Sequence, residues 1–124
     1  MTVEGALAAE RRRVERQVAD LARDLQAIID ASADANADDE HDPEGSTIGF
    51  ERAQVASLLD RARSRLVELD EAEERLGAGT YGRCQRCGGL IGDDRLSAHP
   101  SATMCVRCAT AATASDRSSR VRKA

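Results

Sequence analysis

A chain of 124 residues with 41 % apolar and 32 % charged side chains is long enough for one small domain or one extended module. Its aromatic residues are only Phe50 and Tyr81, which argues against a large globular core and for a small one held by a staple. No apolar run approaches the length of a membrane span, and nothing resembles a secretory signal, so a cytoplasmic protein is expected.

The net charge of −4 is unevenly spread. Residues 34–47, DANADDEHDPEGST, carry six acids and no base. Residues 113–124 are basic, with Arg117, Arg120, Arg122 and Lys123 against Asp116. A charge block of this kind marks either an interaction surface or a solvated turn.

From residue 3 to about 33 the sequence predicts one long helix. Leu7, Arg11, Val14, Val18, Leu21, Leu25, Ile28 and Ser32 follow the alternating four-three spacing of a heptad seam, broken in polarity only by Arg11 and Ser32. Thr2 suits the N-cap. Pro43, Gly45 and the repelling carboxylates then predict a loop over 34–47, alone or after a fraying extension of the first helix. A second seam runs through Ile48, Arg52, Val55, Leu59, Ala62, Leu66, Leu69, Glu73 and Leu76. Ser46 or Thr47 is placed to cap it, Gly77 and Gly79 to end it, and Glu71 to pair with Arg75. Two helices of similar length joined by a short loop predict an antiparallel coiled-coil hairpin in a monomer; pairing between chains in a dimer is the other solution. A hairpin carries its loop away from both chain ends, so the acidic segment is expected at its tip.

All four cysteines, Cys84, Cys87, Cys105 and Cys108, fall in the next stretch as two Cys-x-x-Cys pairs seventeen residues apart. This spacing suits one closed, tetrahedral structural zinc ion. Two disulfides, four free thiols or a redox motif are the competing readings. The first expects a secreted chain and the last a neighbouring βαβ pattern, which the flanks lack. Arg83, Arg86 and Arg107 stand beside the cysteines, either to offset the charge of four thiolates or as solvated surface residues. His99 is a structural or exposed residue once four thiols complete the site; His41 reads as an exposed loop residue, ahead of a metal site with Asp38, Asp39 and Asp42. The expected organisation is a mainly α chain: a hairpin over 1–79 with its tip at 34–47, a zinc finger and short helix over 80–112, and a flexible basic tail over 113–124.

The run Tyr81-Gly82-x-Cys84-x-x-Cys87-Gly88, then Ile91, then Arg95-Leu96-x-Ala98-x-Pro100, then Cys105-x-x-Cys108 resembles the DksA/TraR family of bacterial zinc-finger transcription regulators. The resemblance covers the finger in sequence and residues 1–80 in architecture. It implies a regulator that is not an enzyme. Its coiled-coil tip enters the secondary channel of RNA polymerase towards the catalytic magnesium, while the finger and C-terminal helix dock outside. Some members act together with guanosine tetraphosphate, for which no binding residue is assigned here. The tip residues so implied are Asp38, Asp39, Glu40 and Asp42. The family's tip pattern Asp-x-x-Asp-x-Ala has its nearest match in Asp39-x-x-Asp42-x-Glu44, which ends in glutamate. Two other functions remain open: a DNA-binding zinc finger using its arginines and tail, and a structural coiled-coil adaptor. The acidic total and the missing basic helix face speak against direct DNA contact.

Overall fold

The computed structural model describes the backbone of residues 2–36 and 43–123 and the side chains of residues 2–34 and 47–114. Four helices follow in order: α1 (Val3–Asn36), α2 (Pro43–Ala78), α3 (Asp93–Ala98) and α4 (Val106–Lys123). An isolated antiparallel bridge joins Arg83 and Leu90.

Helix α1 starts where the cap predicts. The Thr2 hydroxyl accepts the Gly5 N–H (3.0 Å) and the Thr2 carbonyl accepts the Ala6 N–H (2.9 Å), so two of the first-turn donors are met. Both long helices reach further into the segment expected to be a loop, to Asn36 and from Pro43. A proline is compatible with a first turn because its missing N–H has no helical partner there. Ser46 and Thr47 therefore lie inside α2 rather than at its cap. The other end of α2 closes as a Schellman turn. Gly79, at φ +79°, donates to the Leu76 carbonyl (3.3 Å) and Thr80 to the Arg75 carbonyl (2.9 Å). Gly77, expected to share in the stop, is still helical.

The chain divides into two compact units. Residues 9–67 form one, and residues 1–8 with 68–124 the other. The hairpin expected over 1–79 thus contributes to both, with the ends of its helices grouped with the finger.

Within residues 9–67, α1 and α2 run antiparallel. Glu10, with only 12 % of its side chain exposed, accepts from Arg65 Nη2 (3.1 Å) and Nε (3.2 Å), and Arg13 reaches the same carboxylate. This fixes residue 10 opposite residue 65 and brings Val14 level with Ala62, both buried. Val18, Leu21, Leu25 and Ile28 continue the seam half-buried, as do Ile48 and Val55 on the partner helix. Arg52, the polar break in the second seam, is exposed.

In the other unit Leu7, Leu69 and Ala72 are almost fully buried, at 1 %, 0 % and 0 % exposure. Each leucine contributes about 2–3 kcal/mol by leaving water. The second seam departs here from its predicted course, for Glu73 is exposed and Ala72 takes the inward position. The step after Leu69 is three residues rather than four, which keeps a carboxylate out of an apolar site. Helix α4 continues the short helix expected after Cys108 through the segment read as a tail, to Lys123.

Candidate metal centre

Residues 79–108 build the centre from turns. In the first knuckle, Cys84 accepts the Gly88 N–H on its carbonyl (2.9 Å) and donates its own N–H to Gly89 (2.8 Å). Gly88 sits at φ +76°, where a side chain would be strained, so the chain turns back directly after Cys87. The second knuckle is the entry to α4. Cys105 precedes the first turn and Cys108 lies within it, with the Ala109 N–H bonded to the Cys105 carbonyl (2.9 Å). Gln85 N–H to Thr103 O (2.8 Å) ties one knuckle to the other.

The four sulfurs converge, all within 4.8 Å of one another. Cys87 Sγ and Cys105 Sγ lie 4.0 Å apart. A tetrahedral zinc with bonds of about 2.3 Å needs sulfur–sulfur edges of about 3.8 Å. The arrangement therefore fits one structural zinc ion, and at twice a disulfide's bond length it is not a pair of disulfides. Cys84 is buried, Cys105 and Cys108 are half-buried, and Cys87 is exposed. Four thiolates fill the coordination shell and leave no open position for a substrate.

Main-chain amides prepare these sulfurs more than the flanking arginines do. N–H groups of Cys87, Cys105 and Arg86 point at the Cys84 sulfur and hold its pKa down, at about 6. The Cys108 N–H, in the first turn of α4, does the same for Cys105, so a sulfur stands where a helix usually takes an oxygen cap. Cys108 is pushed up to about 12, chiefly by its contact with Cys105, because four neighbouring sulfurs cannot all stay charged without a cation. Gly89 donates to Cys87 Sγ (3.4 Å). Of the three arginines read either as compensating charge or as solvated, Arg86 reaches the Cys108 carbonyl (3.3 Å), not a sulfur, while Arg83 and Arg107 are exposed.

Behind the sulfurs, Cys84, Ile91 and Ala102 form a buried cluster against which Leu96, Met104, Cys105 and Cys108 pack. Two long polar contacts brace it. Tyr81 donates its hydroxyl to Pro100 O (2.8 Å), and burial raises its pKa against the pull of Arg75. Arg95 donates Nε to Met104 O (2.8 Å), which holds the segment leading into Cys105. Arg75, paired in the sequence with Glu71, instead reaches the carbonyl of Ser101 (3.5 Å). His99 caps the end of α3 through its backbone N–H to Arg95 O (2.8 Å) and takes no place among the four sulfurs. Spacing alone does not reveal the bracing by Tyr81 and Arg95; their recurrence in the family motif was the available signal. The predicted tip residues Asp38, Asp39, Glu40 and Asp42, and His41, lie outside the described residues.

Comparison with known proteins follows the same division. The profile of the prokaryotic dksA/traR C4-type zinc finger matches residues 79–114. An uncharacterized protein of Aquifex aeolicus is 48 % identical over 44 residues, 36 % of this chain and 30 % of that protein. The RNA polymerase-binding transcription factor DksA of Caulobacter vibrioides is 41 % identical over 56 residues, 45 % of this chain and 39 % of that protein. These matches span well under half the length of the curated relatives. The solved structure of transcription factor DksA2 from Pseudomonas aeruginosa is similar over 92 % of this chain and 88 % of its own, with a TM-score of 0.55 and 28 % identity.

Proposed function

We propose that this chain, which belongs to the DksA/TraR family of zinc-finger proteins, is a regulator of transcription that acts by binding RNA polymerase and catalyses no reaction. The observation that carries the reading is the likeness to DksA2 over 92 % of the chain, which takes in the long helix pair as well as the finger. A finger alone would fit many partners.

In this reading Cys84, Cys87, Cys105 and Cys108 hold one zinc ion whose role is structural. Asp38, Asp39, Glu40 and Asp42 enter the secondary channel and bring negative charge near the catalytic magnesium and its basic surroundings. The protein works as a monomer in the cytoplasm, and guanosine tetraphosphate belongs to the same proposal as a co-effector. No helix among the described residues is long and apolar enough to cross a membrane, which agrees with this placement.

A photo-reactive residue at position 39, incubated with RNA polymerase from the same organism, tests the central claim. Crosslinks beside the catalytic centre are expected. Asp39→Asn and Asp42→Asn together should abolish the effect on transcription in vitro while leaving zinc content unchanged. Crosslinks elsewhere, or equal effects from variant and parent, would reject the channel mechanism. Running the assay with and without guanosine tetraphosphate separates the alarmone from the tip.

A further inference from the structure

The start of α1 and the finger residues from Tyr81 to Ser97 enclose a groove on the surface of the finger unit. Two adjoining hollows of ≈ 310 and ≈ 320 Å³ share Val3, Tyr81, Asp93 and Leu96. Leu90 forms the outer wall of one of them and is 80 % exposed; Val3 is 42 % exposed. A single exposed leucine is ordinary. Several apolar groups gathered in a concave place are the usual floor of a binding surface.

The local backbone explains why Leu90 is turned outward. Its neighbour Ile91 is buried in the finger cluster, so alternation sends Leu90 to the other face. The bonds closing the bridge come from Cys84 N–H to Gly89 O and Ile91 N–H to Gly82 O. Leu90's own N–H and C=O therefore point away from the partner strand and remain open to an incoming segment.

Among the described residues, the charge at the groove has one sign. Asp93 is the one charged residue that lines both hollows. Asp94, beside it on α3, and Glu4, beside Val3 on α1, are exposed, and among the described residues none of the three forms an ion pair. Arg95 is committed to Met104 O, and Arg83, opposite Leu90, lines neither hollow. Acids favour the first turn of α3 in any case. The open apolar floor beside them is what that preference leaves unexplained.

We propose that this groove docks a segment of RNA polymerase that presents an apolar side chain next to an arginine or lysine. The apolar group fills the hollow between Val3, Tyr81 and Leu96, and the cation meets Asp93. The proposal rests on the polymerase-binding reading, in which the finger docks outside the channel, and adds the surface and the side-chain chemistry of that contact.

Purified RNA polymerase from the same organism is the probe. Its affinity is measured for the parent chain, for Leu90→Ser, for Asp93→Asn and for Val106→Ser, an exposed apolar residue outside the groove. Both groove positions are exposed, so zinc content and helicity should match the parent in every variant. Leu90→Ser is expected to weaken binding about tenfold or more. Asp93→Asn should weaken it less and flatten its salt dependence, and Val106→Ser should bind as the parent does. A photo-reactive residue at position 90 should crosslink to a polymerase segment with a basic residue beside an apolar one. If the parent binds but both groove variants bind equally well, or the crosslink goes to DNA, the groove proposal is wrong while the polymerase reading stands. If the parent itself does not bind, the polymerase reading fails first, and the groove's partner with it.

Discussion

Gly77 and Gly79 stand two residues apart and play opposite parts. Gly79 adopts a left-handed backbone that closes α2, and any side chain there is strained although nothing lies within 4 Å of its Cβ position. Gly77 is helical and equally open, so it costs chain entropy and returns nothing. Gly77→Ala should stabilise the protein by about 0.5–1 kcal/mol and Gly79→Ala destabilise it by about 1 kcal/mol, read from denaturation midpoints. The sequence marks both as punctuation; only the hydrogen bonds of Gly79 and Thr80 tell which one stops the helix. Ser101 is a second case. It is 4 % exposed and its hydroxyl finds no partner among the described residues. Replacing it with alanine removes a desolvated polar group while its carbonyl stays available to Arg75. Ser101→Ala should therefore leave stability unchanged or raise it by about 1 kcal/mol, where an ordinary buried serine would lose about as much. No pattern in the sequence distinguishes Ser101 from an exposed loop serine, because its burial comes from residues far along the chain.

At the level of the elements, the heptad reading was right for α1, whose eight seam positions are all buried or half-buried. In α2 it failed at Arg52 and at Glu73, both exposed. Alternating spacing cannot see that a small residue, Ala72, meets the packing need one position earlier. The helix limits were missed for a related reason. Proline, glycine and clustered acids signal a loop, yet a proline in a first turn is permitted, and α2 begins there. In the finger, the cluster of four cysteines and its fit to one zinc ion were legible, because four cysteines in two pairs leave few geometries. Its amide-prepared sulfurs were not, since backbone donors have no residue letter. They set the response to acid. Zinc competes with protons for thiolates, so apparent affinity must fall as pH falls. Above about pH 6 the Cys84 sulfur is already largely ionised, whereas Cys108 keeps its proton up to about 12 and loses it to solvent as the metal binds at any ordinary pH. Below about pH 6 the Cys84 proton joins the competition. The slope of log affinity against pH should steepen there by about one proton, measurable with a competing zinc chelator across the range. A constant slope would show that the amides do not act on that sulfur.

For the molecule taken together, two compact units imply two kinds of stability. Among the described residues of 9–67, an apolar seam and the Glu10–Arg65 contact hold the helix pair. The finger packs a small cluster that four repelling sulfurs undermine when zinc is absent. Chelation, or Cys84→Ser, should therefore unfold the finger and loosen α3 and α4, while circular dichroism retains the helicity of the long pair. Loss of nearly all helicity would mean that residues 9–67 depend on the finger for their fold. The whole-chain likeness to DksA2 was foreshadowed by architecture, whereas the sequence matches remain confined to the finger and its flanks. Seams and loops tolerate many side chains at the same spacing; metal knuckles do not. The Tyr81–Pro100 bond gives this division an optical counterpart. Tyr81 is the only tyrosine and there is no tryptophan, so light that phenylalanine does not absorb excites one phenol anchored in the finger. The protein thus carries a single built-in phenol, seated in the finger unit, with which metal uptake and finger folding can be followed in the unlabelled chain.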